Sequence, residues 1–222
     1  MRSSSEPGAG ISCLHADEAL LVLDKPAGLL AVPGRGTDKQ DCASTRAQAQ
    51  WPDALIVHRL DMATSGLLLM ARGAAMQRRL SMAFASRSVR KHYVALVAGH
   101  VPPSAAGWGE IDLPLMNDWP KRPRQMVDPR GKPSLTRWLV LAHESDDRGR
   151  PLTRLALEPV TGRTHQLRVH LQAIGHPILG DALYADADAR AHSPRLLLHA
   201  CELALTHPLT DEALQWHSPP PF

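Results

Sequence analysis

HRLDMATSGLLLMAR, residues 58–72, decides how the rest of this chain is read. His58, Arg59 and Asp61 place three ionisable groups within four positions. Thr64, Ser65 and Gly66 follow as a tight polar turn, and Leu67 to Met70 run apolar into what reads as a buried strand. A strand drawn into a core drags the carboxylate of Asp61 to its edge, where an ionised group needs a partner. Tuned acids sit in such positions, although an Asp61 that merely caps the turn and pairs with Arg59 would look the same in isolation.

Upstream of that stretch, ALLVLDK (19–25) reads as a strand. LDKPAGLLAVPGRG (23–36) is a loop punctuated by Pro26, Gly28, Pro33, Gly34 and Gly36, either a plain connection or the rim of a site. Residues 40–50 form a short helix ended by Trp51-Pro52. Downstream, 74–85 carries Met76, Leu80 and Ala83/Phe84 at helical spacing, with Gln77, Arg78 and Arg79 outward. Those arginines join Arg87, Arg90 and Lys91 in a basic cluster, a solvated face or a phosphate-contacting one. KHYVALVA (91–98) is a strand that holds Tyr93, one of two tyrosines.

Ile111 to Leu115 predicts a further short strand. NDWPKRPRQMVDPRGKP (117–133) carries Lys121, Arg122, Arg124, Arg130 and Lys132 beside Trp119, with four prolines. It reads as too proline-rich for regular structure: a nucleic-acid contact or a merely soluble loop. Residues 136–142 and 152–158 predict paired strands. Thr164 is placed to cap a helix whose Leu167, Leu171 and Ile174 share a face and which Gly175 closes, with Arg163 at its entrance. Residues 196–199 and 201–206 read as more strand, and the tail SPPPF as irregular.

The totals narrow the class. The chain has 222 residues, 44% hydrophobic and 21% charged, the balance of a globular protein able to bury a core. A net charge of +3 and a pI near 9.0 suit a polyanionic partner without requiring one. Cys13, Cys42 and Cys201 are dispersed, which argues against a disulfide framework or zinc knuckle and fits a reducing, cytoplasmic setting. MRSSSEPGAG lacks the apolar core of a secretory signal, and no apolar run is long enough to span a bilayer. The expected organisation is a disordered segment 1–12, one domain over 13–217 and an irregular tail 218–222. A metallohydrolase using His58, Asp61, His165, His170 and His199 lacks any local ligand signature, so no metal is expected.

HRLDMATSGL, the KHYVALV strand and TGRTHQLRVHLQAIGHPILGD, in that order and with the KPAGLLAVPG loop ahead of them, resemble the RluA-type pseudouridine synthases. The resemblance covers roughly residues 18–208, and DWPKRPRQ resembles the dual-specificity members, which modify both 23S rRNA and a tRNA. No separate S4-like RNA-binding domain is expected ahead of residue 18. The resemblance implies an α+β fold: a single catalytic domain with a mixed, mostly antiparallel central β-sheet, flanked by helices and loops, and an RNA-binding cleft across the sheet. It implies isomerisation of uridine in RNA stem-loops, the tRNA anticodon stem-loop among them, by base flipping and without cofactor. The expected partner is structured RNA and no membrane, and the expected state is a monomer.

By the same resemblance Asp61 is the catalytic carboxylate, Tyr93 the ring that stacks on the target base and Arg163 the guanidinium that pairs with Asp61. Arg59 fills the space the base vacates, Leu167 lies near the flipped base, and His58 joins them as a substrate-binding position. Arg78, Arg79, Lys91, Lys121, Arg122 and Arg124 are the expected phosphate contacts. Substrate choice is expected to lie in loops 104–110 and 144–150. The chemistry suits these residue types. Breaking N1–C1′ while retaining the uracil calls for a carboxylate at C1′ in a site that excludes water. A guanidinium keeps such a carboxylate ionised through parallel hydrogen bonds, so losing Arg163 is expected to harm folding as well as activity. The alternative is a catalytically silent RNA-binding module using the same cleft.

Overall fold

The computed structural model describes residues 10–222, with the side chain of Asp38 left aside. Most of the expected disordered segment, residues 1–9, lies outside the described residues. In chain order the elements are β1 (Ser12–Ala16), β2 (Leu20–Lys25), α1 (Ala43–Gln48), β3 (Ala54–Ile56), β4 (Ser65–Arg72), α2 (Gly73–Ala85), β5 (Arg90–Ala98), β6 (Gly109–Asp112), β7 (Leu115–Asn117), β8 (Gln125–Val127), β9 (Leu135–Ser145), β10 (Pro151–Pro159), α3 (Gln166–Ala173), α4 (Ala187–Ala191), β11 (Leu198–Thr206) and β12 (Ala213–His217). The chain packs as two compact units, one of residues 10–90 with Glu202–Ser218, the other of Lys91–Cys201 with Pro219–Phe222.

In the first unit β4 is the centre. Its apolar run Leu67–Ala71 is buried throughout, so it must be covered on both faces. β2 lies antiparallel against it, Leu20 opposite Ala71 through Lys25 opposite Gly66, and β1 lies antiparallel outside β2. β3 pairs with the end of β4, and the 202–206 half of β11 pairs with β12. The stripe Leu67, Leu69, Ala71 meets Leu20, Val22, Leu203 and Leu205, and α2 closes this core with Leu80, Met76, Ala83 and Phe84. Emptying such a position, as in Leu80→Ala, typically costs about 2–5 kcal/mol.

In the second unit β10 is flanked by β5 and β9, antiparallel on both sides, and β6 extends the sheet beyond β9. β7 and β8 form a separate antiparallel hairpin whose Leu115 and Val127 pack with Val169, Leu183 and Tyr184. The fold class is therefore α+β with mostly antiparallel pairing; a parallel contact is the isolated bridge Leu30–Cys42.

Four details differ from the sequence expectation. The proline-rich 117–133 stretch is built as the β7–β8 hairpin, because its prolines fall in the connection (Pro120, Pro123) and after β8 (Pro129, Pro133), where no ladder N–H is lost. The strand expected over 111–115 splits between β6 and β7. The N-cap position of α3 is His165, in the left-handed region (φ 54°) and without a side-chain capping bond, rather than Thr164, and the buried residues run from Gln166 to Leu171 while Ile174 stays 36% exposed. The two segments expected over 196–206 are one strand, β11.

Candidate active site

The 58–64 segment mixes buried and exposed positions. Leu60 is buried, His58 and Asp61 are half-buried, and Arg59 and Met62 are exposed. The turn closes where the Thr64 N–H donates to the Asp61 carbonyl (3.1 Å). Gly66 then takes a φ of 108°, a conformation that costs a side-chain-bearing residue strain, to enter β4. His58 Nε2 accepts the Leu69 N–H (2.9 Å), which places its proton on Nδ1, and its ring stacks on Phe84 at 4.6 Å. His58 thus fixes the turn to β4.

The KPAG loop grips the same turn from below. Lys25, fully buried at the end of β2, donates from Nζ to the carbonyls of Pro26 (2.9 Å), Leu29 (2.8 Å) and Met62 (3.2 Å). The Met62 carbonyl also accepts the Gly28 N–H (2.8 Å). The residue after Asp61 is therefore held twice through its backbone, by a loop the sequence left open between connection and rim.

In the second unit Tyr93 lies on β5 opposite Leu157 of β10, 9% exposed. Lys91, two residues earlier, is half-buried; burial pushes its ammonium pKa down, and Glu158 partly restores it. Arg163 sits before α3 as expected, but it is exposed: its backbone N–H donates to Gln166 Oε1 (3.0 Å) and its Nε to the Pro133 carbonyl (3.3 Å). Leu167 is buried on α3. Asp61 and Arg163 belong to different units.

The second unit holds a network that sequence reasoning missed. Arg168 and Asp181, 4% and 1% exposed, form a two-pronged pair (2.8 and 2.7 Å). Asp181 also accepts the N–H groups of Leu183 and Tyr184. Arg168 lies over the Tyr184 ring at 5.0 Å, and the Tyr184 hydroxyl meets His165 Nδ1 (2.6 Å) and accepts the Gln125 N–H (2.8 Å). Gln166 ties Thr161, Leu135 and Thr136 together from the next position. The available signal was an alternation: Gln166, Arg168 and His170 are interleaved with Leu167, Val169 and Leu171, and a polar residue carried into a core with such neighbours must find a partner.

Among the expected phosphate contacts, Arg78 and Arg79 are exposed on α2, and Arg79 donates to the Pro208 carbonyl (2.6 Å). Lys121 and Arg122 are exposed in the β7–β8 connection, and Arg124 is half-buried with its guanidinium 5.2 Å from the Tyr184 ring centre. Arg130, by contrast, is spent on a two-pronged pair with Asp128 that holds the Asp128 carboxyl down at about 2. A concavity of about 260 Å³ in this unit is lined by Asp146, Arg150, Leu152, Leu179, Asp188 and His192, of which Asp146 and Arg150 belong to the 144–150 loop and none is an expected catalytic, base-contacting or phosphate-contacting residue. Among the described residues no three His, Cys, Asp or Glu side chains converge as a metal site, and no helix is long and apolar enough to cross a membrane.

Comparison with known proteins decides what this arrangement belongs to. The family pattern described as "RNA pseudouridylate synthase" matches residues 19–173, from β2 to the end of α3. The chain belongs to the RNA pseudouridylate synthase family. It is 47% identical over 210 residues to the "Dual-specificity RNA pseudouridine synthase RluA" of Escherichia coli K12, covering 94% of this chain and 93% of that protein. The protein of the same name from Pasteurella multocida is 46% identical over 213 residues, covering 96% and 94%. Among solved structures, human RNA Pseudouridylate Synthase Domain Containing 1 superposes with a TM-score of 0.80 at 31% identity, over 100% of this chain and 87% of that one. Human RNA Pseudouridylate Synthase Domain Containing 4 follows with a TM-score of 0.71 at 26% identity, over 95% and 88%. The chain is thus an RNA pseudouridine synthase, an isomerase, as the motif order implied.

Proposed function

We propose that this chain isomerises uridine to pseudouridine in structured RNA with dual specificity, for 23S rRNA and for the anticodon stem-loop of a tRNA. The 47% identity over 94% of the chain to a dual-specificity enzyme carries that reading. Asp61 is assigned the chemistry at C1′. The N1–C1′ bond breaks, the uracil turns, C5 bonds to C1′, and the proton lost from C5 is balanced by one gained at N1. A turn pinned by Lys25 and His58 supports the assignment, because a carboxylate acting on one carbon must be held still.

Tyr93 is assigned to stacking on the flipped base and Leu167 to its apolar surround. Arg59, exposed and without an ion pair to any described residue, is assigned to the gap in the RNA. Arg163 is assigned to Asp61, as the resemblance implies; no part of its own core holds its exposed side chain. His58, whose Nε2 serves the backbone, is assigned to holding the turn rather than to reading the base. The exposed cations of α2 and of the β7–β8 connection would meet phosphates, within the cleft the family implies. We take the chain to act as a cytoplasmic monomer without cofactor.

The test is incubation with a transcribed 23S fragment and a transcribed tRNA, followed by carbodiimide-dependent reverse-transcriptase stops. A stop is expected in each RNA. Asp61→Asn should lower the rate by about 10³-fold or more while leaving the thermal midpoint unchanged. Stops in one RNA only would reduce the reading to single specificity. RNA binding with no stops at all would favour the silent binding module. Wild-type turnover by a folded Asp61→Asn protein would remove Asp61 from the mechanism.

A further inference from the structure

Trp119 is largely exposed on a hairpin that other residues secure. The hairpin is secured without the indole: Leu115 and Val127 supply its apolar contacts, Gln125 Nε2 donates to Asn117 Oδ1 (2.8 Å), and the Asp118 N–H donates to the Arg124 carbonyl (3.0 Å). The ring itself is 60% exposed in the short turn Trp119–Lys121. The Arg122 guanidinium lies 3.5 Å from its centre. Neither Lys121 nor Arg122 forms an ion pair with a described residue, so two exposed cations lie within three positions of an exposed indole, one of them against its ring.

We propose that Trp119 and Arg122 form a stacking platform for an unpaired base of the RNA substrate. This deepens the RNA reading above and rests on it. An indole offers any base a flat partner, and a guanidinium on its face strengthens the stack while keeping its N–H edge available to a phosphate. Lys121 supplies a second charge for the same backbone. Only a base outside a helix exposes a face to such a platform, so the occupant is a loop nucleotide and the platform favours loops over duplex.

Equilibrium binding of the full chain to a transcribed anticodon stem-loop, and to a fully paired RNA of equal length, tests this across a salt series. Trp119→Ala should weaken stem-loop binding by about 5- to 100-fold and leave duplex binding unchanged. Trp119→Phe should stay within about threefold of wild type, because a ring remains to stack on. Trp119→Ala should leave the salt slope intact, whereas Arg122→Ala should lower it by about one. Unchanged stem-loop affinity in Trp119→Ala, an equal loss on duplex, or a Trp119→Phe as weak as Trp119→Ala would overturn the platform. If the wild type binds the stem-loop through Trp119 but makes no pseudouridine, the dual-specificity reading fails and the platform stands. If turnover is intact and Trp119→Ala is neutral, the platform alone fails, and if the wild type binds neither RNA, both fall.

Discussion

The turn carrying Asp61 and the entrance to α3 are fixed by opposite means. In the first, donors and acceptors act on main-chain atoms: Lys25 on three carbonyls, Gly28 on the Met62 carbonyl, and His58 on the Leu69 N–H. None of these anchors uses the side chains of Arg59 or Met62. In the second, side chain holds side chain, through Arg168–Asp181, His165–Tyr184 and the Gln166–Thr136–His170 set. Backbone anchoring fixes a turn while placing no demand on what its side chains are. A side-chain network fixes a helix by making several side chains mutually dependent. The first region should therefore lose function before stability, and the second stability before function.

The largest effect should come from Arg168→Met. It strands Asp181 in the core, which typically costs about 3–5 kcal/mol, a fall in thermal midpoint on the order of 10 °C. The double variant Arg168→Met with Asp181→Leu should regain much of that, because no unpaired charge remains. Urea melts of the two decide it: a single variant within about 1 kcal/mol of wild type would remove the pair from the account of stability. Next comes Lys25→Met, which takes a donor from three carbonyls, one of which keeps Gly28. Stability should fall by about 2–3 kcal/mol. Its sharper signature is kinetic, kcat lower by roughly 10- to 100-fold with KM within about twofold, because the turn shifts while the RNA surface does not. Equal losses in kcat and KM would mean that Lys25 supports the fold without positioning Asp61. Arg163→Ala, at an exposed position, should cost less than about 0.5 kcal/mol of stability.

How much of this was legible follows from range along the chain. β4, α2, β5 and β10 announced themselves because their burial repeats locally, as an apolar run, a 3.6-residue period or an alternation, whereas β9 was legible from its run Trp138–Ala142 alone. β1 and β12 alternate between half-buried and exposed positions at an edge, too weak a contrast for five residues. β7 and β8 have three residues each, and the prolines between them masked the hairpin. The HRLD turn was readable because its charges and its strand are contiguous. Lys25 was not, because a lysine ending VLDK looks like a strand reaching solvent, and its burial depends on carbonyls as distant as Met62. Nor was Asp181 visible as the partner of Arg168, since nothing local distinguishes it from other carboxylates.

A pH-dependent effect carries a sign that separates the two regions further. His170 is buried on α3, its Nε2 donating to the Leu113 carbonyl (2.9 Å), which leaves Nδ1 to accept the Thr136 hydroxyl (2.9 Å). A second ring proton would force Thr136, which already accepts from Gln166 Nε2 (3.0 Å), to turn its O–H away from Nδ1 and accept there instead, so the arrangement favours the neutral ring. Burial accordingly pushes the His170 pKa below its ordinary 6.5, against smaller opposing pulls from the Leu113 carbonyl and Asp112. The unfolded chain therefore takes up this proton first. The contribution of His170 is whole above about pH 6.5 and is lost as pH falls through the lower, folded value. His170→Gln should lower stability by about 1 kcal/mol at pH 7.5, and the gap to wild type should narrow as pH falls toward 5. Urea melts across that range, taken as a difference, cancel the other histidines. A gap that stays constant would mean that the α3 network tolerates the charged ring, and that acid weakens the protein through groups outside it.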